Sequence, residues 1–330
     1  MTTSAPIVTI FGGSGFLGRY VAQRMARAGW RVRVATRRPN EALFVKPYGA
    51  VGQVEPILAN IRNEDSVRGL IRGSTAVVNC VGILNEIGRQ KFGAVQAEGA
   101  ARVARIAAEE GVEHLVHISA IGADANSESA YARTKAAGEA AVLENFPSAV
   151  ILRPSIMFGN EDGFFNKFAG LARISPIVPI VGGDTKFQPV FVDNVAEAAA
   201  KGAIGEVPAG IYELAGPEVA TFRELIHKML GIVRRRRLVM NVPFFLAGIK
   251  AWGLDMVQAA TGGLVENRLL TRDQVKNLAN DNVATGEYPG LSDLGIMPTA
   301  MDGVLESYLY CFRPQGQYTA LTASAKNLKG

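Results

Sequence analysis

Apolar residues in the first half of the chain come in two alternating textures. Short, largely β-branched runs occupy residues 7–11, 31–36, 54–58, 76–81, 114–119 and 149–152. Between them lie longer stretches with apolar residues at helical spacing: 16–27, a segment opening at Asn63, 92–110 and 131–145. A short apolar run reads as a buried strand, and a stripe recurring every three to four residues reads as a helix packed on one side. Gly29 and Gly111 stop two of the helices. Strands alternating with helices predict an α/β fold with a Rossmann-type doubly wound parallel sheet, because parallel neighbours need a crossover helix.

The second half is less regular. Residues 159–183 read as loop-rich, with Ser175-Pro176 and Val178-Pro179 interrupting any pattern. Residues 188–193 read as a strand leading into an alanine-rich helix over 194–202, and 210–216 as a last strand returning to the sheet. Thr221, with Glu224 three places on, opens a helix to about 230 as a capping box. The expected organisation is a nucleotide-binding Rossmann domain over 1–158 and a smaller C-terminal lobe over 159–316. Strands near 188–193 and 210–216 rejoin the first part, and 317–330 form a flexible tail.

At 330 residues and 48% hydrophobic content, the chain can bury a large core, which excludes an intrinsically disordered protein. Cys80 and Cys311 have no redox or ligand spacing and fit a reducing compartment. His114, His117 and His227 are read as structural, so no metal site is expected. The six residues before the first strand are too few for a signal or transit peptide, and no uncharged apolar run is long enough to span a membrane. The net charge of +5 is modest. Its basic residues are not interleaved with stacking aromatics, so nucleic acid is not expected as a partner.

The first strand runs into Gly12-Gly13-Ser14-Gly15-Phe16-Leu17-Gly18, with glycines at a spacing of three. A strand feeding a helix through such a turn aims backbone N–H groups and the helix dipole at one point, which suits a pyrophosphate. Gly12 permits the tight turn, Gly15 admits the phosphate and Gly18 lets the helix pack on the sheet. Nineteen positions after Gly18 comes Arg37, then Arg38, where an acidic residue would read the ribose of NAD. Two arginines there suit the 2′-phosphate of NADP, with no carboxylate competing, since Glu41 follows Pro39. Asn60-Ile61 and Val81-Gly82, ending the third and fourth strands, are placed to meet the adenine and the cofactor backbone.

The glycine turn, Tyr131-Ala132-Arg133-Thr134-Lys135, Leu152-Arg153-Pro154-Ser155 and Pro189-Val190-Phe191-Val192-Asp193 together resemble the extended and atypical short-chain dehydrogenase/reductases over about residues 6–230. Phe16-Leu17-Gly18-Arg19-Tyr20-Val21, Phe158-Gly159-Asn160-Glu161-Asp162, Leu270-Thr271-Arg272-Asp273-Gln274-Val275 and Pro289 to Ile296 are similar to a narrower group. That group is the NADPH-binding accessory subunits of respiratory complex I, the alpha-subcomplex subunit nine type, and without a transit peptide a bacterial version is expected. The resemblance implies tightly held NADPH without turnover, other complex I subunits as partners, and a peripheral place on the cytoplasmic side of the inner membrane. It carries cofactor contacts to Gly12, Ser14, Gly15, Phe16, Leu17, Gly18, Arg37, Arg38, Asn60, Ile61, Val81, Gly82, Ser119, Tyr131, Lys135 and Pro154.

Tyr131 and Lys135 stand at i and i+4, on one helix face. In active family members that lysine lowers the tyrosine pKa, the tyrosine moves a proton, and a serine from the fifth strand holds the substrate oxygen. In this chain Ser119 is followed by Ala120, which stands at the usual serine position. Ser119, Tyr131 and Lys135 are therefore the candidates if the chain is an enzyme, and cofactor holding without catalysis is the preferred reading. The alternatives are an NADPH-dependent reductase or epimerase and an NADPH-sensing regulatory module.

Arg234-Arg235-Arg236-Arg237 precedes a helix in which Phe245, Ile249, Trp252 and Met256 share a stripe while Leu246 and Leu254 put apolar bulk elsewhere. A helix apolar nearly all round needs cover from more than one side. Residues 234–260 are expected to dock on a membrane surface or a membrane-adjacent partner.

Overall fold

The computed structural model describes residues 5–260 and 271–316. The tail expected at 317–330 and Leu270 lie outside the described residues, as do the side chains of Lys250 and Leu254. The first half contains β1 (Ile7–Phe11), α1 (Phe16–Arg27), β2 (Arg31–Thr36), β3 (Val54–Leu58), α2 (Glu64–Ile71) and β4 (Ala76–Asn79). It continues with α3 (Glu98–Glu109), β5 (His114–Ile118), α4 (Ala130–Asn145) and β6 (Val150–Pro154). The second half contains β7 (Met157–Phe158), α5 (Phe165–Ile174), β8 (Ile177–Val181), β9 (Lys186–Phe187), β10 (Val190–Phe191), α6 (Val192–Ala203) and β11 (Gly210–Leu214). Then come β12 (Ala220–Thr221), α7 (Phe222–Ile232), β13 (Leu238–Val242), α8 (Phe244–Ala260), α9 (Arg272–Asn277) and α10 (Met301–Leu309).

Seven parallel strands form the main sheet in the order β3-β2-β1-β4-β5-β6-β11. Alternation along each strand sends neighbouring side chains to opposite faces. Val8 and Ile10 of β1 join the layer of α1 and α6, while Phe11 joins the layer of α2 and α3. Helix ends follow the sequence signals: Asn63 accepts a hydrogen bond from Ser66 N at 2.7 Å, and Thr221 and Glu224 form the capping box. Arg24 grips Asp193 through two hydrogen bonds of 2.8 and 2.9 Å and ties α1 to α6. Among the described residues no helix is long and apolar enough to cross a membrane.

Four expectations need correction. The fourth strand stops at Asn79, because its side-chain oxygen accepts from Val81 N and turns the chain. The helix expected over 92–110 opens as a π turn, Gly93–Ala97, before α3. Residues 159–183 are not chiefly loop, since Phe165, Ala169 and Ala172 repeat at helical spacing and build α5, and Pro179 is tolerated in β8, which pairs only with β13. The strand expected over 188–193 is only Val190–Phe191 and pairs with β7 outside the main sheet; Pro189 lacks an N–H, and α6 starts at Val192. Of the two returning strands, only β11 extends the main sheet.

The second half has its own core of Phe158, Phe165, Phe187, Phe222, Leu225, Met229, Leu305 and their neighbours. It is interleaved with the first: Val190, Val195, Ala199, Leu214, Leu291, Leu294 and Ile296 all pack in the core beside α1. On α8, Ala247 and Ala251 face Val181 and Val275. Phe245, Ile249, Trp252 and Met256 are 51–68% exposed, so the apolar stripe read from sequence faces solvent.

Candidate functional site

The strand order reverses between β1 and β4, so the crevice above their C-terminal ends is where an α/β sheet receives a ligand. Gly12 sits there at φ +74°, and a Cβ on it would press against the Cys80 carbonyl at 3.2 Å. A Cβ on Gly18 would overlap Gly12 O, which explains why α1 can start so close to the strand. Gly15 is exposed and meets only Gly12 O, leaving its outer side clear for a ligand. No acidic residue occupies the first turn of α1, so its positive dipole end stays unopposed there. Ser14 Oγ donates to Thr36 Oγ1 at 2.9 Å and joins the turn to the end of β2. Leu17 is buried in the core, and the ring of Phe16 stands edge-on to Tyr20.

Arg37 is exposed and bonded to no other described group. Arg38 is engaged: its Nη1 lies 3.2 and 3.3 Å from the two carboxylate oxygens of Glu41. The expectation that no carboxylate competes is therefore corrected, because the tight helical turn after Pro39 swings Glu41 back. Both side chains are mostly exposed, so the pair is weak. Sequence reading missed Arg19, which donates to Ser14 O and Gly15 O, pairs with Glu161 at 3.3 Å and stacks on Phe44.

Asn60 turns its side chain to Arg62 N, and Ile61 packs in the core against Gly99. Val81 and Gly82 rim the crevice, and a Cβ on Gly82 would find only Lys135 Nζ, at 3.5 Å. Pro154 is buried at the end of β6, where its carbonyl accepts from Ile121 N.

β5 and α4 bring the candidate triad to the same end of the sheet. Lys135 is buried, and its Nζ donates to Ile118 O at 3.0 Å. Burial pushes its ammonium down to about 8, partly opposed by Glu139 and Cys80. Burial pushes the Tyr131 phenol up to about 12, and its ring stands edge-on to Phe92. Ser119 Oγ is buried without a hydrogen-bond partner. Beneath it, His117 is held neutral, its pKa pushed down to about 3 by burial and by Lys135.

Two further groups brace this arrangement. Arg153 donates to both oxygens of the buried Glu139 (2.9 and 2.6 Å), lies 3.9 Å from Glu213 and stacks on Tyr288. The spacing of Tyr131, Lys135 and Glu139, each four apart, was the available signal for it. The other brace comes from α9. Asp273 accepts from Ser129 Oγ at 2.9 Å, Ala130 N at 2.6 Å and Tyr131 N at 3.1 Å, capping α4 from outside. Gln274 donates to Asn85 Oδ1 at 2.7 Å, so α9 spans from the loop after β4 to the start of α4.

Comparison with known proteins agrees with this geometry. Residues 8–203 match the NAD dependent epimerase/dehydratase family. The chain is 33% identical to the NADH dehydrogenase [ubiquinone] 1 alpha subcomplex subunit 9, mitochondrial, of Arabidopsis thaliana, across 98% of this chain and 82% of that protein. It is 31% identical to the NADH-ubiquinone oxidoreductase 40 kDa subunit of Neurospora crassa, across 96% and 82%. The crystal structure of DesIV, a dTDP-glucose 4,6-dehydratase from Streptomyces venezuelae with NAD and TYD bound, superposes with a TM-score of 0.69 at 18% identity, covering 96% and 99%; it shares the fold. A glycine turn at the switch point, the Tyr-Lys helix and a match across nearly the whole chain place the protein: it belongs to the NAD dependent epimerase/dehydratase family, among the relatives of complex I alpha-subcomplex subunit 9.

Proposed function

We propose that this chain is an NADPH-holding accessory subunit of a bacterial NADH:quinone oxidoreductase, placed peripherally on the cytoplasmic side of the inner membrane, where it contributes to assembly and stability. The carrying observation is α9 lying across the start of α4: Asp273 and Gln274 tie the late segment to the loops flanking Tyr131. Such a clamp favours retention of a cofactor over the exchange of substrates. A ligand held far above its Kd stabilises the fold that binds it by several kcal/mol.

The residues present fit a dinucleotide. The Gly12 to Gly18 cradle is open at Gly15, and the buried Ser119 hydroxyl has no hydrogen-bond partner among the described residues. Arg37 supports NADPH over NADH, since an exposed guanidinium with no bond to another described group follows the end of β2, where family folds read the ribose. The nicotinamide would supply a hydride if chemistry occurred. Burial pushes the Tyr131 phenol up to about 12 and keeps it protonated near neutral pH, which supports a holding role. The exposed face of α8 and the arginine run favour contact with the membrane surface through residues 234–260.

A second reading, an NADPH-dependent reductase, draws on the presence of Tyr131, Lys135 and the unpartnered Ser119 hydroxyl at one end of the sheet. Respiratory membranes solubilised in mild detergent test the first reading: the chain should comigrate with NADH dehydrogenase activity, release NADP(H) on denaturation, and tolerate Tyr131→Phe without loss of quinone reduction. A free soluble protein, released NAD(H), or a large loss on Tyr131→Phe would each overturn the corresponding part.

A further inference from the structure

Between the C-terminus of α7 and the start of β13 lies an open cavity of about 510 Å³ lined by His227, Leu230, Arg234, Arg235, Arg236 and Arg237. No carboxylate lines it, and among the described residues none of these arginines forms an ion pair. A run of arginines after a helix usually neutralises that helix's carbonyls. Here other groups have taken them: Arg313 Nε donates to Ile232 O, and Val233 N donates to Gly231 O and Met229 O. Arg313 also pairs with Glu306 at 2.6 Å.

The arginines are nonetheless fixed. Arg235 Nε donates to Phe312 O at 2.8 Å and Arg237 Nε to Ala172 O at 2.7 Å. Both bonds use the inner edge of the fork. Arg235 keeps its two terminal nitrogens unbonded, and Arg237 spends one on Arg236 O. Arg234 and Arg236 are exposed and make no side-chain bond to any described group. Arg234 holds a left-handed backbone at φ 53°, a conformation favouring glycine, and it turns the chain so that four guanidinium groups line one hollow. Arg235 is pushed below its ordinary pKa by burial and by Arg237 and Arg173, so the cluster is under mutual repulsion that an anion would relieve.

We propose that this cavity is a binding site for a phosphate group, carried either by a soluble anion or by a lipid headgroup. Planar guanidinium forks fixed by one edge present their other donors in the geometry a tetrahedral phosphate oxygen pair accepts. The site lies on the opposite lobe from the glycine turn and stands whether or not the chain holds NADPH or meets complex I.

The test uses the full chain and the variant Arg234→Gln with Arg236→Gln, which removes two exposed, unbonded side chains and leaves Arg235 and Arg237 in their structural contacts. Pyrophosphate is titrated calorimetrically, and vesicles of phosphatidylcholine with and without phosphatidylglycerol are tested by co-sedimentation. The expected result is binding in at least one arm, weakened about tenfold or more in the double variant. The glycine turn can itself take pyrophosphate, so only the binding that the double variant removes is assigned to this cavity. Pyrophosphate binding lost in the double variant identifies a soluble phosphate, and phosphatidylglycerol dependence lost in it identifies a headgroup. No binding in either arm, or binding unaltered in the double variant, would overturn the assignment.

Discussion

Removing the carboxylate of Asp273 isolates the contribution of α9 to the proposed nucleotide site. In the native chain that carboxylate accepts three hydrogen bonds at the start of α4, two of them from the backbone N–H groups of Ala130 and Tyr131. Ser129 Oγ still accepts from Ala132 N at 3.3 Å, so Asp273→Ala removes the anion at the helix N-terminus without removing the local cap. Losing backbone hydrogen bonds to a charged acceptor costs about 1.5–3 kcal/mol, the dipole contribution included. Water can reach part of the site, so a total of about 2 kcal/mol is expected. That is about a 30-fold rise in local opening. The assay is native-state hydrogen exchange resolved at Ala130 and Tyr131: both amides should lose protection by about that factor in Asp273→Ala, and by less in Asp273→Asn, which keeps one carbonyl acceptor. NADP(H) retention should weaken in parallel, because Tyr131 is the first residue displaced. Protection unchanged within about twofold would refute the idea that α9 holds the site together.

The two arginines after β2 should not be equivalent. Arg37→Ala should weaken NADP(H) retention about tenfold or more, whereas Arg38→Ala should cost less because Glu41 already occupies that guanidinium; equal losses by calorimetry would contradict the geometry. Glu139→Gln should destabilise the chain by about 2–3 kcal/mol in urea unfolding, less than a fully isolated buried pair, since Glu213 remains 3.9 Å from Arg153; a change below about 0.5 kcal/mol would count against the brace. Lys135 titrates near 8 in the folded chain against an ordinary value of 10.5. Between those pH values the unfolded chain binds a proton that the folded chain lacks, so this group adds stability as pH rises through the window and loses it as pH falls. Relative to Lys135→Met, the wild-type chain should gain about 2–3 kcal/mol from pH 7.5 to 10.5, and a flat difference would refute the buried ammonium.

The main sheet was legible because local signals and tertiary packing agree there. The central strands β1, β4, β5 and β6 are buried on both faces, while the edge strand β3 is only partly covered. The glycine turn was legible for the same reason: Gly12 and Gly18 stand where no Cβ fits, and that need is written in residue identity. What escaped was non-local. Asp273 reaches Ala130 across 143 positions, and nothing in the capping box of Thr271 and Gln274 says which helix its neighbour will serve. Glu41 reaches Arg38 although it follows Pro39, past the end of β2. The apolar stripe on α8 was found, but its direction was not. Two alanines make the packed face and four large side chains the open one, an inversion of the usual rule that bulk goes inward.

The interleaved core also sets the order of events during synthesis. β1 and the glycine turn leave the ribosome first, yet the layer over α1 is sealed by Leu291, Leu294 and Ile296, and the sheet edge by β11. At about 5–20 residues per second, the nascent strands wait roughly 15–60 s for those partners. Throughout that interval a half-built parallel sheet has an open edge and an apolar face, the state most prone to capture by other chains. Yield should therefore respond to translation speed and chaperone supply more steeply than the finished protein's stability would suggest.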